Sequence, residues 1–210
     1  MKPARREILE KLKQSKVSVP EKPDFDEPVF HALKNPPIDV LTTNLEAVNG
    51  NIHIAQNTDE LLDRLKDFLK NFASEKIYCN ETAVRQILNK GKIAYNKNTE
   101  IPEDTEVGIT GCEFLIAQTG SALLSSAQKG GRRLFIYPPV HVIIAAKKQL
   151  VNTLEEAYQA ISEKYTGDLP SQLLLITGPS RTADIEKTLT LGAHGPKQLH
   201  LFLYEFETDF

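Results

Sequence analysis

Two short segments of this 210-residue chain combine glycine with hydroxyl side chains directly after apolar runs. The first segment, QTGS, runs from Gln118 to Ser121, and the second, GPSRTAD, runs from Gly178 to Asp184. Glycine allows a ligand to approach the backbone closely. Free N–H groups at the start of a helix attract anions, with help from the helix dipole. If each segment leads from a strand into a helix, the pattern predicts two similar turns that bind one phosphate or carboxylate group.

The predicted ligand contacts are distributed over both turns. They are Thr119, Gly120 and Ser121 in the first turn, and Gly178, Ser180, Arg181, Thr182 and Asp184 in the second. Arg181 is able to form a two-point contact with an anion. A simpler interpretation stays open, because Ser and Thr are common helix caps and Arg181 and Asp184 are spaced to pair on a helix. Neither segment matches a phosphate-binding P-loop or a dinucleotide fingerprint, so neither kind of nucleotide site is indicated.

Two histidines are further candidates for ligand binding. His141 follows the rigid turn YPPV, which we place after a strand at 133–136, and His194 lies in the loop GAHGP. A loop histidine is more often functional than one in a strand. His200 alternates with leucines and is predicted to face the surface of a strand. No H-x-H or H-x-x-x-H spacing is present, so no metal site is predicted.

Acid–base chemistry needs a carboxylate aimed into the pocket, and the candidates are Glu113 and Asp184. Neither has a recognisable partner in the sequence, so no catalytic residue is assigned. The two cysteines, Cys79 and Cys112, indicate no disulfide framework and favour a reducing compartment. Cys112 precedes an apolar run and is interpreted as a small buried hydrophobic residue. Two thiols are too few for a four-cysteine iron–sulfur cluster, so we expect no cofactor bound by this chain alone.

Apolar periodicity predicts the elements that position these residues. Predicted strands are 51–55, 76–79, 107–109, 113–117, 133–136, 142–145, 173–177 and 199–204, and predicted helices are 59–72, 82–89, 121–129, 152–164 and 182–191. This alternation indicates an α/β protein with a three-layer α/β/α sandwich around a largely parallel sheet. Ligands of such sheets bind outside the carboxyl ends of the strands.

The N-terminal region differs from the rest of the chain. Residues 1–16 are basic and predict a short amphipathic helix, and residues 18–37 contain five prolines and predict an extended arm. We therefore divide the chain into residues 1–37 and a domain at 38–210. The net charge of −3 gives no attraction to nucleic acid. The absence of a transmembrane run or a secretory leader favours a cytoplasmic location.

Several motifs together resemble the LUD (lactate-utilisation) domain family. They are GITG at 108–111, FLIAQTGS at 114–121, PPVH at 138–141, TGPSRTADIE at 177–186 and AHGP at 193–196. The resemblance covers roughly residues 40–205, and its last two motifs are the most specific. It is closest to the short, C-type branch, which lacks the cysteine motifs of the longer iron–sulfur proteins.

The resemblance implies a fold similar to sugar-phosphate isomerases and CoA transferases. It also implies a bacterial cytosolic protein that acts with iron–sulfur partner proteins in the oxidation of L-lactate to pyruvate and binds a small anionic ligand. The chain departs from the family at Gln118, where an acid is usual, and at Cys112-Glu113, where Ala-Asp is common. Two alternatives remain open: a free-standing enzyme acting on a phosphorylated sugar or a CoA thioester, and a non-catalytic scaffold module.

Overall fold

The structure is a computed structural model that describes residues 3–14, 22, 33–98, 100–183, 189–192 and 194–205. Chain contacts divide it into two units, residues 1–31 and residues 32–210. Within the first unit, helix α1 covers Pro3–Gln14, in agreement with the predicted amphipathic helix. Most of the predicted proline-rich arm lies outside the described residues. Its last residue, Pro37, is the first residue of a helix that the sequence patterns do not predict. Proline fits this position because the first turn of a helix does not need its N–H.

The second unit contains five α-helices and eleven strands among the described residues. The helices are α2 (Pro37–Ala47), α3 (Thr58–Leu69), α4 (Thr82–Lys90), α5 (Arg132–Ile136) and α6 (Leu154–Lys164). The strands are β1 (Asn51–Ala55), β2 (Ile77–Tyr78), β3 (Val107–Thr110), β4 (Phe114–Ile116), β5 (Ser121–Ser125), β6 (Val140–Ala146), β7 (Leu150–Val151), β8 (Leu173–Ile176), β9 (Arg181–Ala183), β10 (Leu189–Leu191) and β11 (Gln198–Tyr204).

The central sheet has five strands in the order β1-β11-β6-β3-β2, and every pair in it is parallel. Alternate residues of its strands face opposite layers. Val142 and Ile144 pack with α3 and α4 on one side, while Ile143 and Ala145 pack with α2 on the other. The predicted α/β sandwich around a largely parallel sheet is confirmed.

A second sheet, β7-β4-β5-β8, lies on the α2 side of the central sheet. It is mixed, because β4 pairs parallel with β7 but antiparallel with β5, and β5 pairs antiparallel with β8. Its outer face packs on α6, where Leu123 contacts a cluster that includes Ala157 and Ile161. Thr153 caps the start of helix α6, since its side chain accepts a hydrogen bond from the backbone N–H of Glu156.

Three predicted elements are wrong in type. Residues 121–125 of the predicted helix 121–129 form β5, residues 132–136 form a helix instead of a strand, and the described parts of 182–191 form β9 and β10. β5 is rich in residues that favour helices, but it is fully buried and hydrogen-bonded between β4 and β8. Short apolar runs do not distinguish a strand from a buried helix, and here tertiary pairing decides between them.

The predicted surface position of His200 is also wrong. Its side chain is buried, and its ring centroid lies 4.3 Å from that of Phe68 in α3. Because α3 covers this face of β11, the strand is buried on both faces, whereas one face was predicted to be exposed to solvent. Within the described part of the chain, none of the helices combines the length and hydropathy that a bilayer crossing requires.

Candidate functional site

The turn at Gln118 to Ser121 joins two antiparallel strands, β4 and β5, and no helix follows it. Gly120 has φ +63° and donates its N–H to the carbonyl of Ala117 at 3.2 Å. Ser121 is buried at the start of β5. The predicted strand-to-helix geometry is therefore wrong here, and no helix dipole is available to attract an anion.

The turn at Gly178 follows β8 and leads into strand β9, so the prediction of a helix start is wrong here as well. Gly178 has φ +77°. The backbone N–H of Ser180 donates to the carbonyl of Pro196 at 2.8 Å, and its carbonyl accepts from Gly192 at 2.9 Å. These bonds hold the turn against the loop that precedes β11.

The two turns nevertheless meet at one edge of the second sheet. Strand pairing places Ala122 opposite Ile176, and the hydroxyls of Ser121 and Thr177 are 2.7 Å apart. The sequence patterns predict a shared edge, but they place it at the central parallel sheet. The proximity arises from antiparallel pairing of β5 with β8.

Helix α2 fills the space between these turns. The side-chain amide of Asn44 donates to the carbonyls of Ala117 at 3.0 Å and Gln118 at 2.8 Å. A Cβ atom at Gly120 would lie 2.5 Å from the backbone of Asn44 and Leu45. Glycine is therefore needed here for the close approach of a helix, which is a different reason from the predicted approach of a ligand.

The second turn is held in the same way by the residue that follows α2. A Cβ atom at Gly178 would lie 2.5 Å from the carbonyl oxygen of Val48, and Arg181 donates a hydrogen bond to that oxygen. Helix α2 thus occupies the space between the two turns in which an anion was predicted to bind, and it leaves an apolar cavity of about 10 Å³ lined by Gly120. Anion binding by these residues stays a prediction.

The remaining predicted contacts lie in several different environments. The side chain of His194 is exposed, and a Cβ atom at the adjacent Gly195 would lie 3.1 Å from Cβ of Ser180. The backbone of Thr182 belongs to β9, but its side chain and the whole of Asp184 lie outside the described residues.

His141 does not lie in a turn after a strand, because residues 132–136 are helical and His141 is the second residue of β6. It is fully buried, with Nε2 2.8 Å from the hydroxyl of Thr110 and its ring stacked on Phe135 at 6.4 Å. Its Nδ1 atom has no hydrogen-bond partner among the described residues. Burial lowers the pKa of His141 to about 3, so the ring is neutral at pH 7.

A second group of polar residues lies at the carboxyl ends of β2 and β3. Glu81 follows β2, and its Oε1 accepts a hydrogen bond from the N–H of Gly111, which directly follows β3, at 3.1 Å. Its Oε2 accepts from the side-chain amide of Gln128 at 3.3 Å. The oxygen of that same amide accepts from the N–H of Ser125 at 2.9 Å, which connects Glu81 to β5.

Glu113 lies nearby, after β3, with only 5% of its surface exposed. Its Oε1 accepts hydrogen bonds from the hydroxyls of Ser125 at 2.5 Å and Tyr165 at 2.7 Å, and its Oε2 pairs with Lys164 Nζ at 2.6 Å. Burial opposes ionisation, but hydrogen bonds from these three donors outweigh it and hold the pKa of Glu113 below its ordinary range.

The pKa of Glu81 is shifted in the opposite direction. Burial raises it, and the negative charge of Glu113 adds to the rise, although bonds from Gly111 and Gln128 oppose both effects. Two nearby carboxyl groups with divergent pKa values are typical of acid–base sites. Glu113 is among the carboxylates predicted from the sequence, whereas Glu81 is not. The signal for Glu81 is its position three residues after an apolar strand.

Both cysteines are buried, as predicted for Cys112. Burial raises the pKa of the Cys79 thiol to about 12 and also raises the pKa of the Cys112 thiol. Both side chains are therefore neutral thiols at pH 7, which are poor metal ligands and poor nucleophiles.

Comparison with known proteins identifies the family. The family model described as LUD domain matches residues 38–204. The chain belongs to the LUD domain family. Both turns and the Glu81–Glu113 group lie inside this LUD domain.

Curated relatives of this LUD domain protein include an uncharacterized protein of Neisseria meningitidis, 37% identical over 101 residues, or 48% of this chain and 43% of that protein. Lactate utilization protein C of Bacillus licheniformis is 34% identical over 105 residues, or 49% of this chain and 44% of that protein. These two alignments cover less than half of each relative. Lactate utilization protein C of Oceanobacillus iheyensis is 25% identical over 198 residues, or 84% of this chain and 85% of that protein.

A solved structure supports the fold. The crystal structure of a DUF162 family protein from Deinococcus radiodurans superposes with a TM-score of 0.60 at 16% sequence identity, over 80% of this chain and 96% of that chain. The predicted resemblance to the LUD family is confirmed by the family match, and the α/β fold is confirmed by this structure.

Proposed function

We propose that this LUD domain protein acts in lactate utilisation, as a cytoplasmic component without an iron–sulfur cluster that works with iron–sulfur partner proteins in the oxidation of L-lactate to pyruvate. The observation that carries the proposal is the alignment with a lactate utilization protein C over 84% of this chain. The two buried thiols support the part of the proposal that concerns clusters, because cluster ligands are thiolates and a cluster commonly needs four of them.

Growth on L-lactate tests this proposal directly. Deleting the gene from its host should abolish growth on L-lactate and leave growth on glucose unchanged, and a plasmid copy should restore growth on L-lactate. Affinity-tagged protein purified from lactate-grown cells should bring down cysteine-rich proteins with the visible absorbance of iron–sulfur clusters. Normal growth of the deletion strain on L-lactate would contradict the proposal.

A second candidate function is that of an enzyme acting on a phosphorylated sugar or a CoA thioester. The observation that favours it is the position of Glu81 and Glu113, since ligands of parallel sheets bind outside the carboxyl ends of the strands. In this reading Glu81, with its raised pKa, exchanges a proton with the ligand, and Glu113 stays ionised.

Ligand-induced stabilisation tests the second candidate. A phosphate ester or CoA at about 100 times its Kd should stabilise the protein by about 2.7 kcal/mol, which is measurable as a rise in melting temperature. Glu81→Gln should change the ligand-induced rise in melting temperature. Glu46→Gln, at an exposed position of α2, should leave this rise unchanged. If none of these ligands raises the melting temperature of the folded wild-type protein, the protein is not an enzyme of this class.

A further inference from the structure

Residues 82–98 carry an unbalanced charge. This stretch contains four cationic side chains and no carboxylate, in a chain whose net charge is −3. The cations are Arg85, Lys90, Lys92 and Lys97. The stretch consists of helix α4 and the residues after it, including an extended segment at 95–97 that runs beside β2. A cleft lined by charges of one sign concentrates ions of the opposite sign, so a cleft in this stretch favours anions.

A groove between α4 and segment 95–97 contains two of these cations. Its volume is about 220 Å³, which is below the roughly 300–1,000 Å³ of sites for drug-sized ligands, so the groove suits a small molecule. The described residues that line it include two cations and no carboxylate, and they are Thr82, Arg85, Gln86, Asn89, Tyr95 and Lys97. The first four share one face of α4, because residues three, four and seven apart are neighbours on a helix.

Hydrogen bonds fix the wall of the groove that lies opposite α4. The backbone N–H of Asn96 donates to the carbonyl of Ile77 in β2 at 2.8 Å. The side-chain amide of Asn96 donates to the two backbone carbonyls of residues 74–75, at 3.2 Å and 2.7 Å. Alternate side chains of an extended chain face opposite sides. The side chains on either side of Asn96 therefore face the groove, and Lys97 is held in position by an anchored backbone.

Three side chains of the groove are able to donate hydrogen bonds to one anion. Arg85 is half-buried and donates to the hydroxyl of Thr82 at 3.4 Å. Neither Arg85 nor Lys97 forms an ion pair with a carboxylate in the described part of the chain. The hydroxyl of Tyr95 donates to Asn89 Oδ1 at 3.0 Å, so the NH₂ group of this amide remains available to a ligand.

We propose that this groove binds a phosphate group, either as inorganic phosphate or as part of a small phosphate monoester. The planar guanidinium of Arg85 is able to bind two oxygens of an anion at once. A carboxylate has only two oxygens and would be fully used by this contact. A phosphate group has further oxygens for Lys97 and Asn89, and its dianion balances the two positive charges of the groove.

The groove is separate from the Glu81–Glu113 group. Glu81 directly precedes α4, but its carboxylate accepts hydrogen bonds from Gly111 and Gln128 and is not among the described residues that line the groove. Phosphate binding in the groove therefore does not depend on proton exchange by Glu81, and the proposal stands apart from both candidate functions.

Isothermal titration calorimetry of the full chain with inorganic phosphate and with glycerol 3-phosphate tests this site. We expect both to bind the wild type at about pH 7.5, where most of the phosphate is a dianion. Arg85→Gln and Lys97→Gln should each weaken binding by about tenfold or more, because each removes a charge-assisted hydrogen bond. Lys92→Gln makes the same change of charge within the same stretch, but Lys92 lines a different groove, so this control should bind like the wild type.

The two probes distinguish the two sources of phosphate. Equal affinities support inorganic phosphate as the ligand, and tighter binding of glycerol 3-phosphate supports a monoester. Malonate, a dicarboxylate, should bind about tenfold more weakly than either, because it lacks the third oxygen on one centre. In nuclear magnetic resonance spectra, phosphate should shift the amide resonances of Arg85, Asn89 and Lys97 in the wild type.

Several results would overturn the proposal. The first is a folded wild-type chain that binds neither probe at millimolar concentration. The second is malonate binding as tight as phosphate binding, and the third is an equal loss of affinity in Lys92→Gln and Arg85→Gln. A loss of phosphate binding in Glu81→Gln but not in Arg85→Gln would also overturn the groove, and it would favour the enzyme candidate instead.

Discussion

Gly120 and Gly131 have similar backbone angles but different surroundings. Their φ values are +63° and +76°, and a side chain at either is strained by about 1–2 kcal/mol. A Cβ atom at Gly131 would meet nothing within 4 Å, whereas one at Gly120 would collide with the backbone of α2. We expect Gly120→Ala to lower the free energy of unfolding by about 1–3 kcal/mol more than Gly131→Ala does.

Urea denaturation of both variants measures this difference. Equal losses would mean that α2 does not approach the turn as closely as described. A large loss at Gly120 would also explain a glycine in the QTGS segment without reference to a ligand.

Glu113 is the most heavily hydrogen-bonded carboxylate in the described part of the site. Glu113→Gln removes the charge that three donors share, and we expect it to lower the free energy of unfolding at pH 7 by about 2–4 kcal/mol. Its folded pKa is lowered, so its contribution is present above the unfolded pKa of 4.5 and is lost as pH falls through the folded pKa. The variant should lose less stability than the wild type over this acid range.

Glu106→Gln is the control for Glu113→Gln. Glu106 pairs with Lys76 at 2.9 Å, but both side chains are more than a third exposed. Such surface ion pairs contribute about 0–1 kcal/mol. Losses of equal size in the two variants, measured by urea denaturation at pH 7, would contradict the importance of the buried hydrogen bonds.

At the scale of elements, β1, β11 and α3 are connected through two histidines. His53 Nε2 lies 3.3 Å from His200 Nδ1, and the His200 ring packs on Phe68. Burial, with the nearby charge of His53 as a smaller cause, lowers the pKa of His200 to about 4 from 6.5. Between these pH values His200 binds more protons in the unfolded chain than in the folded chain, so its contribution lowers the free energy of unfolding as pH falls from 6.5 to 4.

The melting temperature measured across this pH window tests the histidine pair. His200→Gln keeps a hydrogen-bonding side chain but removes one titrating group, so its melting temperature should depend less steeply on pH. Each unit of pKa difference corresponds to about 1.4 kcal/mol. His194→Gln, at an exposed loop position, should keep the wild-type slope. An unchanged slope in His200→Gln would show that its ring is not buried in the neutral form.

At the scale of the whole molecule, the core clusters lie within residues 33–204. We expect a chain of residues 32–210 to unfold in a single cooperative transition, because the buried contacts between the central sheet, the second sheet and the five helices are all retained. Calorimetry measures the cooperativity of this transition, as does urea denaturation that is monitored with two spectroscopic probes. Non-coincident transitions, or the absence of a transition, would mean that residues 1–31 are needed for folding.

Much of this architecture was predictable from the sequence. Strands with clear β patterning, such as β1 and β6, and helices with a strong apolar stripe, such as α3, were found within a few residues, because their periodicity reflects burial on a defined face. The family motifs at 177–186 and 193–196 indicated the LUD domain, and the family match confirms it. The sequence contains two cysteines, and this number limits the iron–sulfur clusters that the chain can ligate.

Only the tertiary structure decided what surrounds each motif. Ser121 to Ser125 favour a helix locally, but hydrogen bonding to β4 and β8 makes them a strand, and that change moves both glycine turns from the central sheet to the second sheet. Glu81 and Glu113 are 32 positions apart in the sequence and share one hydrogen-bonded network only because β2 and β3 are parallel neighbours. Local sequence determines periodicity and turn chemistry, whereas the partner of a strand and the pKa of a buried group depend on residues that are distant in the chain.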